Sequence, residues 1–340
     1  MQRPLSSLAT LAALAMLVGC DAPDGNTGSA TSTSDVPGVL DGFAIQPAAD
    51  PPHRDPVVAD PRAHDDAPDY DEPLEDDDGG QDGLPAGEFL PLIQLVGEDP
   101  EGLAFGPDGA LYVAHGDSER VVRVTLGAHP AAEAFTADGI RDVQGLTFGP
   151  DGDLYVASRD DAQVQRFDGH TGAHLGPFGD RVDGPNSVAF GPGGNLYITQ
   201  RDRASVALVA GEDGDPLGDF AASPDLDTPE GLAFDDDGDL YVASRGRHQI
   251  AVVDEDGRIV DTFSHPRLES PEGLAFGPDG DLWVSSRDSG AVLRFDGVTH
   301  ALLEEYPLPD GRPIGLAVGP EGRVYVAARD SGFIFVLHPE

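Results

Sequence analysis

Beyond Phe89 the chain is written in short apolar runs, each closed by a cluster of Gly, Pro, Asp or Asn. Around residue 150 the order is Gly145-Leu146-Thr147-Phe148, a Gly149-Pro150-Asp151-Gly152 turn, Leu154-Tyr155-Val156-Ala157, a polar loop, Val164-Gln165-Arg166-Phe167, an Asp168-Gly169 turn, and a fourth run ending near Phe178. Runs of this length with turn residues at every junction read as four short antiparallel strands.

This unit recurs. Its copies open at Glu101-Gly102-Leu103-Ala104-Phe105, Gln144-Gly145-Leu146-Thr147-Phe148, Asn186-Ser187-Val188-Ala189-Phe190, Glu230-Gly231-Leu232-Ala233-Phe234, Glu272-Gly273-Leu274-Ala275-Phe276 and Ile314-Gly315-Leu316-Ala317-Val318. The turn glycines Gly109, Gly152, Gly194, Gly238, Gly280 and Gly322 follow one another at steps of 43, 42, 44, 42 and 42 residues. Self-similarity at that period signals a repeat architecture, and one four-stranded sheet per repeat is a propeller blade. The expected fold is therefore all-β, a six-bladed β-propeller over residues 89–340. The last repeat supplies only three strands before Glu340, whereas Phe89 to Val96 has no counterpart elsewhere. That segment is expected to pair beside Phe333 to Leu337, closing the ring and removing a sheet edge. Pro91 suits the outer edge of a blade, where its missing N–H is not needed.

The residues before the repeats read differently. Residues 1–20 carry Arg3, an apolar run from Leu8 to Val18 too short to span a bilayer, and Leu17-Val18-Gly19-Cys20, the pattern of an export signal. Leu-Val-Gly-Cys resembles the bacterial lipobox, in which cleavage precedes a lipidated cysteine, so Cys20 is the expected lipidation site and the cell envelope the expected location. Cys20 is also the only cysteine, which rules out an intrachain disulfide. Residues 21–88 hold 18 acidic residues against Arg54 and Arg62, with many Pro, Ala, Gly and Ser. Such a segment cannot bury a core and is expected to be a disordered tether. Overall, 62 acidic residues face 20 basic ones, all arginine, for a net charge of −42. That charge repels nucleic-acid backbones and is explained by solubility before any ligand is invoked.

Gly-Leu-Ala-Phe-Gly-Pro-Asp-Gly followed by Leu-Tyr-Val-Ala resembles the NHL repeat, and the resemblance covers all of 89–340. It implies the six-bladed fold also used by the gluconolactonase and calcium-dependent lactonase family, by strictosidine synthase-like proteins, by peptidyl-hydroxyglycine lyases and, with seven blades, by virginiamycin B lyase. Relatives of such varied chemistry leave function open. Where NHL repeats commonly read Tyr-Val-Ala-Asp, this chain has Ser158, Ser244 and Ser286, with His115, Gln200 and Ala328 in the other blades. Ligands at that aspartate do not carry over.

Candidate chemistry lies at the channel rim. The residue before each first-strand glycine stands there, giving a ring of Glu101, Gln144, Asn186, Glu230, Glu272 and Ile314. The second strands run back to the same face and end in Arg159, Arg201, Arg245, Arg287 and Arg329. Carboxylates and amides converging on an axis are hard oxygen ligands suited to Ca²⁺. The resemblance to the lactonase family implies ligands at this position, and Glu101, Asn186, Glu230 and Glu272 are the candidates. The competing reading pairs each Glu with the Arg of its own or the next blade. In blade one Gly116 replaces the arginine, which makes Glu101 the first ligand candidate. The ten histidines show no zinc spacing, and Asp235-Asp236-Asp237-Gly238-Asp239 aligns with the first hairpin turn of the other repeats rather than with a calcium loop. Two functions stay open. One is a binding scaffold for an envelope protein, peptide or glycan through the Glu/Arg face; the other is a Ca²⁺-dependent hydrolase of lactones. The expected partners are the lipid bilayer through acylated Cys20 and that envelope ligand, with no nucleic acid and a monomeric chain.

Overall fold

A computed structural model describes residues 87–95, 99–116, 118–136 and 140–339. The chain divides into Met1–Glu75 and Asp76–Glu340, and every described residue belongs to the second unit. The expected export signal with Cys20, and all but the last two residues of the expected tether, lie outside the described residues.

Among the described residues, 24 strands form six separate sheets of four, each antiparallel throughout. Five sheets are built from consecutive strands; the sixth joins Arg312–Val318, Val324–Arg329 and Phe333–Leu337 to Phe89–Gln94. Phe89 pairs with Leu337 and Gln94 with Phe333, so the ring closes as the repeat count requires. The register slips between Pro91 and Ile93, which absorbs the proline on the outer strand. Gly87 already donates its N–H to the carbonyl of His338 at 2.9 Å. Because Phe89 and Leu337 are partners at the end of the sheet remote from Gln94 and Phe333, both ends of the ring leave from one face.

Each sheet runs from a crowded inner strand to an exposed outer one. The second strands Leu111–His115, Leu154–Ser158, Leu240–Ser244 and Leu282–Ser286 are buried at every position, whereas all of Ala131–Ala134, an outermost strand, is exposed. Between blades the core repeats one motif, a second-strand tyrosine edge-on to the first-strand phenylalanine of the next blade. Tyr112 meets Phe148, Tyr155 meets Phe190, Tyr197 meets Phe234 and Tyr241 meets Phe276, with ring centroids 4.8 to 4.9 Å apart. Tyr325 and Phe105 repeat it between blades six and one at 5.2 Å, making five of the six interfaces, and each such pair contributes about 0.5–1.5 kcal/mol beyond its buried area. Trp283 takes the tyrosine's place in blade five, 1% exposed and stacked on Tyr306.

At the axis the inner strands touch backbone to backbone. A Cβ on Gly145 would stand 2.8 Å from the Asn186 carbonyl oxygen, and one on Gly315 would stand 2.1 Å from that of Glu101. The glycine of five first strands, replaced by Ser187 in blade three, thus allows the inner strands to close on so small a circle. The turn Asp235 to Asp239 is a hairpin cap in which the Asp235 carboxylate accepts the N–H groups of Asp237 and Asp239 at 3.1 and 2.8 Å.

Candidate functional site

Every first strand carries a bulge at the same place. Pairing is interrupted between Pro100 and Leu103, Val143 and Leu146, Pro185 and Val188, Pro229 and Leu232, Pro271 and Leu274, and Pro313 and Leu316. The extra residue kinks the strand and re-aims the side chain that follows. Glu101, Gln144, Asn186, Glu230, Glu272 and Ile314 sit in these six bulges and line one cavity of about 80 Å³, together with Arg159, Arg201, Arg245 and Arg329. All six first-strand positions and four of the five expected arginines therefore meet at one site; Arg287 does not line it and stands 3.8 Å from Glu272. The bulge itself was not anticipated; its signal is the proline before Glu101, Asn186, Glu230, Glu272 and Ile314.

The two rings interlock across blade boundaries. Glu230, 1% exposed, faces Arg245 at 3.2 Å and Arg201 of the preceding blade at 3.5 Å. Arg245 also reaches Glu272 in the following blade at 3.4 Å, and Arg287 stands 3.8 Å from that carboxylate. Glu101 has no arginine at the end of its own blade's second strand, where Gly116 stands, but Arg329 of blade six lies 3.0 Å away and also 3.6 Å from Asp99. The neutral positions are tied in too. Arg159 donates to Gln144 Oε1 and lies 3.4 Å from Asp142, Asn186 Nδ2 donates to Gln144 Oε1 at 3.3 Å, and Gln144 Nε2 donates to Asp142 at 2.6 Å.

Burial dominates the acid–base behaviour of these carboxyls. Desolvation raises Glu101 from 4.5 to about 7 even though Arg329 pulls the other way. Glu272 is pushed up to about 8 by burial and by its neighbour Glu230, and burial raises Glu230 as well. Arg287 is lowered by burial and by the adjacent Arg245.

The residues standing where NHL repeats carry aspartate are structural ties. Ser158 Oγ donates to the Arg141 carbonyl at 2.8 Å, Ser244 Oγ to that of Asp227 at 3.2 Å and Ser286 Oγ to that of Arg267 at 2.8 Å, while Gln200 Nε2 donates to Asp219 at 2.8 Å. No histidine lines the axial cavity. Among the described residues, no group of three or more His, Cys, Asp or Glu side chains is arranged to hold a metal.

The Virginiamycin B lyase family model matches residues 130–336, more than half of the chain. No curated protein matches in sequence. Among solved structures, a catalytically inactive virginiamycin B lyase from Staphylococcus aureus with quinupristin superposes with a TM-score of 0.58 at 16% identity, covering 73% of this chain and 98% of that one. A streptogramin B lyase gives 0.55 at 15% identity over 73% and 96% of the two chains. A gluconolactonase from Xanthomonas campestris gives 0.60 at 19% identity over 75% and 98%. At such identities these structures share the fold with this chain.

Proposed function

The chain belongs to the virginiamycin B lyase family, and from that premise we propose that it is a binding protein of the cell envelope, held at a membrane through lipidated Cys20. Its Glu- and Arg-lined axial face takes a polar group of a protein, peptide or glycan. One observation carries this reading: each axial carboxylate is already engaged by an arginine of its own or a neighbouring blade. A divalent cation bound by Glu101, Asn186, Glu230 and Glu272 would have to displace Arg245 and Arg329, and it would meet carboxyls whose burial favours the protonated form. The residues present therefore do not suit a resident Ca²⁺. Nor does the cavity offer an imidazole or other uncommitted base.

The test is an assay of glucono-δ-lactone hydrolysis and of quinupristin ring opening by the full chain, with and without Ca²⁺ and Mg²⁺, alongside calorimetric titration of Ca²⁺. No turnover and no Ca²⁺ binding at millimolar concentration are expected. Cation-dependent turnover abolished by Glu101→Gln would establish the hydrolase reading instead. Cys20→Ser is expected to move the protein from the membrane fraction to the soluble one, and retention at the membrane would remove the lipid attachment.

A further inference from the structure

The axial cavity holds a surplus of hydrogen-bond donors. Arg159, Arg201, Arg245 and Arg329 line it and Arg287 stands beside Glu272, each guanidinium carrying several N–H groups and no acceptor. Three carboxylates and the amides of Gln144 and Asn186 oppose them, and those carboxylates and Gln144 are already engaged. Two buried guanidinium nitrogens, Arg159 Nε and Arg287 Nε, make no hydrogen bond among the described residues, the latter standing 3.8 Å from Glu272. Among the described residues Arg201 is paired with Glu230 alone, at 3.5 Å, beyond good hydrogen-bond length. Buried donors left over in this way ask for an acceptor-rich ligand.

The surplus is uneven around the ring. Blades two and three place neutral Gln144 and Asn186 where blades one, four and five place glutamates, so the arginines ending their second strands, Arg159 and Arg201, have no ring carboxylate in their own blades; Arg159 donates to Gln144, and Arg201 faces Glu230 of the next blade. Ile314, in the blade opposite Asn186, makes that side of the ring apolar. The volume of about 80 Å³ corresponds to roughly five water molecules. It admits one terminal group of a ligand and leaves the remainder on the rim.

Resting on the reading of this face as a ligand site, we propose that the axial cavity captures a carboxylate, held between Arg159 and Arg201 beside Asn186, with the ligand's adjoining carbons turned toward Ile314. The arginine fork matches the two oxygens of a carboxylate. Burial raises Glu101 and Glu272 toward neutral pH, which lessens the negative charge an incoming anion meets. The carboxylate belongs either to a free organic acid or to a peptide C-terminus, and the two sources are separable.

Calorimetry of the full chain at pH 7 and low salt uses succinate, succinamide, trialanine with a free C-terminus, its C-terminal amide, and inorganic phosphate. Binding of succinate or of free trialanine, at least tenfold tighter than the matching amide, is expected, and whichever of the two binds identifies the source. Arg201→Gln is expected to weaken that binding tenfold or more and Arg201→Lys to weaken it less. Arg267→Gln, which removes an exposed pair with Glu305, leaves it unchanged. Far-ultraviolet circular dichroism and thermal midpoints confirm that each variant folds. Equal affinity for acid and amide, phosphate binding as tight as succinate, or full affinity in a folded Arg201→Gln variant would each overturn the carboxylate assignment. Amides binding alone would do so while leaving the axial face a ligand site, whereas lactone turnover with no probe bound would remove the binding reading itself.

Discussion

Glu101→Gln is a direct measure of what burial does at the axis. The Glu101 carboxyl is 5% exposed, and burial lifts it from 4.5 to about 7 in the folded chain. A raised value in the folded state means that its contribution to stability is complete below pH 4.5 and is lost as pH rises through 7. The displacement of about 2.5 units corresponds to roughly 3 kcal/mol. Glutamine keeps an oxygen for Arg329 and never ionises, so the variant should equal the parent near pH 4 and exceed it at pH 8.5 by up to about 3 kcal/mol. For a domain of this size each kcal/mol moves the thermal midpoint by about 2–4 °C, which gives a gain of roughly 6–12 °C at the higher pH. Differential scanning calorimetry of both proteins from pH 4 to 8.5 reads this, together with the smaller change in Glu272, whose rise the Glu101 charge adds to. A midpoint difference that does not change with pH, or a variant less stable than the parent at pH 8.5, would show that the 3.0 Å pair with Arg329 outweighs desolvation.

Three further outcomes follow from packing. Trp283→Ala should cost about 3–5 kcal/mol, because the indole is 1% exposed, stacks on Tyr306 and lies under Arg294; a loss below 1 kcal/mol in chemical denaturation would contradict its placement in the core. Gly315→Ala should lower the thermal midpoint by several degrees, since the new methyl would fall 2.1 Å from the Glu101 carbonyl oxygen, and an unchanged midpoint would refute the close approach of the inner strands. Beginning the chain after Gln94 exposes the edge of Phe333–Leu337 and should give aggregation detectable by light scattering, whereas a soluble monomer with the parent midpoint would show that the closing strand is dispensable.

The blade count, the four strands per blade and the closing partnership were legible because a 42- to 44-residue period and a strand-length pattern leave little else for the chain to be. Both rings at the rim were legible for the same reason, since equivalent positions in equivalent sheets share one radius. What the repeat could not convey is the stagger between sheets. Whether Arg245 serves Glu230, Glu272 or both, and that Arg329 reaches across the closure to Glu101, depends on the rotation of one blade against the next. The bulges were hidden as well, although the prolines ahead of five of the six ring residues mark them. The family match covers residues 130–336, whereas the described residues build six blades from Phe89 to Leu337. Repeat number, unlike repeat identity, had to be counted.

The shared exit of the two ring ends has a practical consequence. Gln94 and Phe333 stand on the side of the cavity mouth, as do Pro100 and His115, while Phe89 and Leu337 stand on the other. A fusion partner, resin or sensor chip coupled at either end of the ring is joined at the rear of the disc. Within the propeller, the mouth then lies on the face away from the point of coupling.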